Sequence, residues 1–319
     1  MKIVMLDGYE LNNDLDWSAL RGMGECDLYD RTPVDDADEI CRRIGDAGLV
    51  ITHKTPLRAE VIGRASSLRY IGIMGTGYDV IDVAAARGRG VTVTNVPTYA
   101  ESAVAQFAFS LLLEVTGQVG LHDRLVHEGT WSRVPDFTFW ERPLFELKGK
   151  TLGLVGYGHI ARQVSRMAHA FGMHVVYWNH RPKQPAEPGD EQVPLDELLR
   201  VADVISLHLI QTPETIGIIN EQALALMKPS AILLNTARGK LVVEKDVAAA
   251  LNAGKLYAYA TDVVSKEPIA PDNPLLSAKN CYITPHIAWA PHETRQRLLD
   301  IAVENLKAFL AGAPTNVVR

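Results

Sequence analysis

Thr151-Leu-Gly-Leu-Val-Gly156-Tyr-Gly158-His-Ile-Ala161-Arg-Gln-Val164 is an apolar run that breaks into closely spaced glycines and resumes at helical period. It reads as strand, tight turn and helix. A helix starting at such a turn aims unpaired N–H groups and a partial positive charge outward, which suits a dinucleotide's pyrophosphate if no side chain intervenes. Gly156 would make the turn, Gly158 would admit the phosphates, and Ala161 would let helix and strand pack closely, with His159 and Ile160 supplying the first-turn backbone. The spacing alone also fits a βα turn that binds nothing. Past the helix, Phe171-Gly172-Met173 closes a turn, and His174-Val-Val-Tyr-Trp178 is a short β-rich run ending at Asn179, where a ribose-reading residue belongs.

The rest of the chain is bounded by composition. With 319 residues, 47% hydrophobic, it can bury a large core and divide into two domains. A formal charge of −6 leaves no basic footprint for nucleic acid. Cys26, Cys41 and Cys281 are scattered, which indicates neither a disulfide framework nor a zinc site, and no metal is expected. Asp7 interrupts the N-terminal apolar run too early for a signal-peptide core, and the richest apolar run, residues 103–113, contains Gln106 and Ser110. The expectation is a soluble cytoplasmic protein with no membrane partner.

Residues 2–6, 26–29, 48–52, 70–73 and 91–94 read as strands separated by polar, partly helical stretches, which means a parallel α/β sheet. The fourth runs into Gly75-Thr76-Gly77-Tyr78-Asp79, a loop at a strand's carboxyl end, where open α/β sheets bind ligands; a simple glycine turn is the bland reading. Thr98 and Glu101 have capping-box spacing, and the following helix is apolar on nearly every face, as suits a segment crossing between domains. The aromatic stretch Trp131-Ser-Arg-Val-Pro-Asp-Phe-Thr-Phe-Trp140 reads as an exposed arm or as core packing. Residues 204–209, 231–235, 257–261 and 281–284 continue the strands, and a helix from about 291 to 310 ends at Gly312.

Three of these strand ends carry polar residues that packing does not require: Asn235-Thr-Ala-Arg238-Gly239, Thr261-Asp262 through Glu267-Pro268, and Thr284-Pro285-His286-Ile287-Ala288. Singly, each reads equally well as a surface charge or a structural histidine. Together they fit hydride transfer to a 2-keto acid, which needs a cation to grip carboxylate and carbonyl, a general acid for the new alkoxide, and a carboxylate to keep that acid protonated. Arg238, His286 and Glu267 are those three types.

On these motifs, with Leu209-Ile-Gln-Thr212-Pro213-Glu214-Thr215, the sequence resembles the D-isomer-specific 2-hydroxyacid dehydrogenases over nearly its whole length. Asn95-Val-Pro-Thr-Tyr, Pro135 through Trp140 and Asn273 through Asn280 are similar to the glycerate dehydrogenases, or hydroxypyruvate reductases, within that family. The resemblance implies two doubly wound parallel-sheet domains: a discontinuous substrate domain, residues 1–98 with 291–319, and an inserted Rossmann domain, residues 99–290, with the active site in the cleft. It implies a homodimer formed largely through the cofactor domains. It carries over Arg238 as substrate-binding cation, His286 as acid/base and Glu267 as its partner. Backbone around Gly75, Thr76 and Gly77 would hold the substrate carboxylate. Asp262 would lie by the nicotinamide carboxamide, and Leu209, Thr212, Thr236, Ala237 and Ala288 would line the NAD(P)H site.

Two departures stand out. Val80 replaces a common asparagine, and Asn179 stands where NAD-specific members carry an acidic residue. A neutral amide does not repel a 2′-phosphate and can donate to it, while His180, Arg181 and Lys183 could add positive charge, so NADPH is expected to serve at least as well as NADH. The preferred substrates are expected to be hydroxypyruvate, then glyoxylate. 3-Phosphoglycerate and D-lactate-type dehydrogenases are the rival enzyme readings, and a dinucleotide-sensing corepressor-like scaffold is the non-enzyme one.

Overall fold

The computed structural model describes residues 2–11 and 14–319 and divides into two compact units, Met1–Ala100 with Ala290–Arg319, and Glu101–Trp289. In the first unit, β1 (Lys2–Met5), β2 (Glu25–Leu28), β3 (Leu49–Thr52), β4 (Tyr70–Ile73) and β5 (Thr92–Thr94) form an all-parallel sheet in the order β2-β1-β3-β4-β5. Each expected strand is present within a residue or so of its expected ends. β3 and β4 are buried at every position, as short Val/Ile/Leu runs are when helices cover both faces. The C-terminal segment belongs here because helix His292–Leu310 packs Phe309 on Tyr70, ring centroids 4.8 Å apart, and Val318 then donates its N–H to Val93 at 2.9 Å.

The second unit holds β6 (Thr151–Val155), β7 (His174–Trp178), β8 (Glu191–Gln192), β9 (Val204–Leu207), β10 (Ile232–Asn235), β11 (Ala258–Thr261) and β12 (Cys281–Ile283). All seven are parallel, in the order β12-β11-β10-β9-β6-β7-β8. The direction of winding reverses between β6 and β9, which places a crevice at their carboxyl ends. β8 was not expected, since Glu191 and Gln192 lie exposed at the sheet edge and carry no apolar pattern.

Two readings need correction. The helix expected from a Thr98 cap begins at Glu101 and runs to Gly117, two residues later than that cap would set. Far from needing a second domain to cover it, its apolar face is buried within the second unit. Ala105, Ala108, Phe109 and Leu112 share a core with Leu154, Tyr157 and Tyr177, and Phe109 stacks on Phe171 at 5.4 Å. No single helix among the described residues is long and apolar enough to cross a membrane.

Helix His159–Ala170 closes with Gly172 at φ +71°, Met173 N–H bonding Ala168 O at 3.0 Å and Gly172 N–H bonding His169 O at 2.9 Å. That is a Schellman end, with glycine supplying the left-handed residue. It returns the chain directly into β7.

Beneath the fingerprint turn, the buried imidazole of His208 pairs its Nε2 with the Ser206 hydroxyl at 2.9 Å, and burial pushes its pKa down to about 4. In the unfolded chain it would titrate near 6.5. The unfolded state therefore binds the extra proton first. The stability of the unit is unaffected above pH 6.5 and falls as pH drops from 6.5 to 4, by on the order of 3 kcal/mol for this group. Thermal melts across that range should show the loss, and His208→Gln should flatten it; an equally steep slope in the variant would assign the effect elsewhere.

Candidate active site

Because all seven strands are parallel, the loops after β6, β7, β9, β10, β11 and β12 emerge along one edge of the sheet. The sequence motifs therefore share one surface. Gly156 has φ +95°, and a Cβ there would lie 2.8 Å from His208 O and 3.0 Å from Leu209 Cδ2, so its glycine is dictated by backbone conformation and by the neighbouring strand end. Gly158 is different. Its φ of −87° suits any residue, and a Cβ there would meet nothing within 4 Å. Folding does not require glycine at 158, and the space beside it is open to a ligand lying close to the backbone.

Helix His159–Ala170 starts directly after Gly158, so the first-turn N–H groups of His159 and Ile160 have no partner within the helix. Further along the edge, the buried Thr236 Oγ1 has no hydrogen-bond partner among the described residues. These features fit a dinucleotide: unpaired donors and open space for the diphosphate, and an unsatisfied hydroxyl where the resemblance puts the rest of the coenzyme.

At the ribose position the side chain of Asn179 is already engaged. Its Oδ1 accepts from Tyr157 N–H at 3.2 Å and its Nδ2 donates to Arg181 O at 2.8 Å. One of the two Asn179 amide protons is thereby committed to the loop, and the other is left to donate outward. His180 and Arg181 are exposed beside it. After β9, Thr212 N–H bonds the Thr215 hydroxyl at 2.7 Å, fixing the turn that follows Leu209.

The chemistry-bearing loops interlock. Asn235, fully buried at the end of β10, accepts Ala237 N–H at 3.0 Å and donates to Arg238 O at 3.0 Å. That turn presents an exposed Arg238, whose Nη1 rests on Ala237 O at 2.8 Å. Gly239 is packed so tightly that a Cβ would fall 2.0 Å from the Val264 carbonyl carbon. The Arg238 turn thus lies against the loop that carries Glu267.

On β12's loop, His286 adopts φ +56°, a conformation non-glycine residues seldom take. Asp262 holds it there. Its carboxylate is only 1% exposed and accepts Thr284 Oγ1 at 2.7 Å, Ile287 N–H at 2.9 Å and Ala288 N–H at 2.8 Å, while its own carbonyl takes His286 N–H at 2.9 Å. Burial pushes the Asp262 carboxyl up despite these donors. The sequence reading placed Asp262 only by the nicotinamide; the structure gives it this anchoring task. His286 Nδ1 lies 2.7 Å from Glu267 Oε2, and Glu267 Oε1 accepts Val264 N–H at 3.1 Å. With Nδ1 paired, Nε2 is the nitrogen left to meet a substrate.

Glu244 was missed by sequence reasoning. From the first turn of its helix it accepts Ser265 N–H and Ser265 Oγ, both at 2.7 Å, and Asn273 Nδ2 at 3.0 Å. It braces the Glu267 loop from behind, and an isolated acidic residue in a helix carries no sequence signal of such a contact.

In the first unit, Gly75-Thr76-Gly77 follows β4 and is stapled by Asn95 Nδ2 to Thr76 O at 2.8 Å and by Thr76 Oγ1 to Val96 O at 2.9 Å. No hydrogen bond among the described residues uses the N–H of Thr76 or Gly77, so both remain available to an anion.

Comparison with known proteins gives a consistent result. Residues 109–288 match the model of the D-isomer specific 2-hydroxyacid dehydrogenase NAD binding domain. The chain is 52% identical to a hydroxypyruvate reductase of Blautia hydrogenotrophica, covering 100% of this chain and 99% of that one. It is 37% identical to a glycerate dehydrogenase of Methylorubrum extorquens over 88% of each. Among solved structures, an NADPH-dependent glyoxylate/hydroxypyruvate reductase of Sinorhizobium meliloti, in complex with NADP and malonate, aligns with a TM-score of 0.84 at 28% identity, covering 99% and 96% of the two chains.

The two fingerprint glycines should separate in experiment. Gly158→Ala should leave the melting temperature within the range of a neutral surface change, about 0.5 kcal/mol, while raising KM for the coenzyme. Gly156→Ala should cost stability itself, about 1–3 kcal/mol. Unimpaired coenzyme binding in Gly158→Ala would mean that the open space there serves no ligand.

Proposed function

Since the chain belongs to the D-isomer specific 2-hydroxyacid dehydrogenases, an oxidoreductase family acting on CH–OH donors with NAD(P)H, we propose that it reduces hydroxypyruvate and, less readily, glyoxylate. The observation that carries the chemistry is the 2.7 Å His286–Glu267 pair, which leaves Nε2 of a left-handed histidine at the ligand-binding edge of the sheet. The substrate class is supported by the 52% identical relative named hydroxypyruvate reductase.

When bound, the coenzyme supplies the hydride received by the carbonyl carbon. The chain's own residues do the rest. Arg238 grips the keto acid through charge-assisted hydrogen bonds, polarising the carbonyl and fixing its face. His286 delivers the proton from Nε2 to the carbonyl oxygen, and Glu267 stabilises the imidazolium from the Nδ1 side. The N–H groups of Thr76 and Gly77 are assigned to the substrate carboxylate. The diphosphate falls to Gly156, Gly158, His159 and Ile160, and the remainder of the coenzyme to Leu209, Thr212, Thr236, Ala237, Asp262 and Ala288. With a neutral Asn179 and exposed His180 and Arg181, NADPH serves at least as well as NADH.

The working form we propose is a cytoplasmic homodimer. The dimer is supported by exposed apolar side chains of the second unit, Val119, Trp131, Phe137 and Trp140, which are 50–89% exposed and which a partner surface would cover.

Initial rates with hydroxypyruvate, glyoxylate, pyruvate and 3-phosphohydroxypyruvate, each with both coenzymes, test the reading. Hydroxypyruvate should lead; preference for pyruvate or the phosphorylated acid would overturn the substrate assignment. His286→Asn should lower turnover about 10²–10⁴-fold. Glu267→Gln should shift the alkaline fall-off of reduction to lower pH, because the imidazolium loses its counter-charge. A profile unmoved by Glu267→Gln would reduce that carboxylate to a loop contact.

A further inference from the structure

Residues 179–183 join β7 to the route toward the edge strand β8, and they present His180 and Arg181 exposed. Four side-chain contacts tie this short segment down. Gln192 on β8 spans both its ends, with Oε1 accepting Lys183 N–H at 3.1 Å and Nε2 donating to Asn179 O at 3.4 Å. The Tyr177 hydroxyl donates to Lys183 O at 2.7 Å. Asn179 Nδ2 holds Arg181 O, as described above.

These contacts reach back to the fingerprint. Tyr177 is 1% exposed, and its ring stacks on that of Tyr157 with centroids 3.7 Å apart. Tyr157 in turn donates its N–H to Asn179 Oδ1, while its hydroxyl donates to the buried carboxylate of Asp190. Asp190 also accepts Ser165 Oγ at 2.7 Å and faces His169 Nε2 at 2.7 Å. The chain is therefore fixed at both ends of the 179–190 connection.

Gln192 is exposed on a two-residue edge strand, so core packing does not call for its amide. What its amide does is close the loop. A guanidinium discriminates a phosphate only when its planar fork is aimed, and a loose loop must be ordered upon binding at an entropic cost. Other charges flank the segment: Arg162 Nη2 donates to Gln184 O at 3.3 Å just beyond it, and Arg166 pairs with Glu187 at 2.6 Å. The Thr212 side chain, through a hydrogen bond, and to a smaller extent the charge of His180 hold the Glu214 carboxyl below its usual range, and Arg181 makes no ion pair among the described residues.

We infer that Gln192 and Tyr177 are positioning residues for coenzyme choice, fixing the backbone from which Arg181 meets a 2′-phosphate. This rests on the NADPH reading above. The alternative role, simply holding β8 to the sheet, would affect both coenzymes alike.

Calorimetric titration of the full-length protein with 2′,5′-ADP and 5′-AMP separates the two, together with melting curves and kinetics on both coenzymes. Wild type should bind 2′,5′-ADP the more tightly. Gln192→Ala and Tyr177→Phe should each lose about tenfold of that affinity, the order expected for a weakened charge-assisted contact. Affinity for 5′-AMP should stay within about twofold, and KM for NADPH should rise with kcat unchanged. Equal weakening of both nucleotides, or no change in either, would overturn the inference while leaving the NADPH reading intact. A wild type that does not distinguish the two nucleotides would remove that reading, and the inference with it.

Discussion

The buried carboxylate of Asp262 is the constraint on which the catalytic edge depends. It accepts one hydroxyl and two backbone N–H groups from the loop after β12, and in making these contacts the loop turns His286 into the left-handed region. The unfavourable backbone conformation is stabilised by hydrogen bonds to a charged acceptor, each stronger than a neutral one. Once turned, the imidazole faces Glu267 through Nδ1, and its other nitrogen is free for chemistry. One anchoring residue at the end of β11 thus helps set which ring nitrogen of His286 faces Glu267 and which is left unpaired.

The neighbouring turns depend on the same close approach. Gly239 leaves room for the Val264 backbone, and Glu244 pins Ser265 and Asn273, so the loops bearing Arg238 and Glu267 are held against each other by backbone contact and a single carboxylate. Among the described residues, the hydrogen bond recorded for the Arg238 guanidinium is to Ala237 O, not to the His–Glu pair. What they share is an edge, built by a parallel sheet whose strands all end on the same side. The other half of that edge carries the fingerprint turn, where Gly156 is demanded by the fold and Gly158 is not.

Much of this was legible in the sequence, for physical reasons. Short buried runs such as Leu49–Thr52 and Ile232–Asn235 are unmistakable because both faces are covered, and Gly156, at φ +95°, has few substitutes. His286, Glu267 and Arg238 were found because their residue types at successive strand ends match one reaction. The misses are contacts that leave no pattern. β8 is two polar residues at an edge, Glu244 is an ordinary acidic residue in a helix, and the partners of Asn179 lie across the turn from it. The helix start at Glu101 was misplaced because the Thr-x-x-Glu spacing arises without a cap, the chain bending at Thr98 and Tyr99 before the helix begins. Trp131, Phe137 and Trp140 could have been core or arm by sequence, and only their exposure decides for the arm.

If His286 is the proton donor, Asp262 and Glu267 act through one histidine. A double-mutant cycle reads this most directly: kcat/KM for hydroxypyruvate reduction in wild type, Asp262→Asn, Glu267→Gln and the double variant. If both act by presenting His286, the double variant should be scarcely worse than the more damaged single one. Losses that multiply in full would show two independent contributions and contradict the claim that the Asp262 anchor exists to build the His286–Glu267 pair.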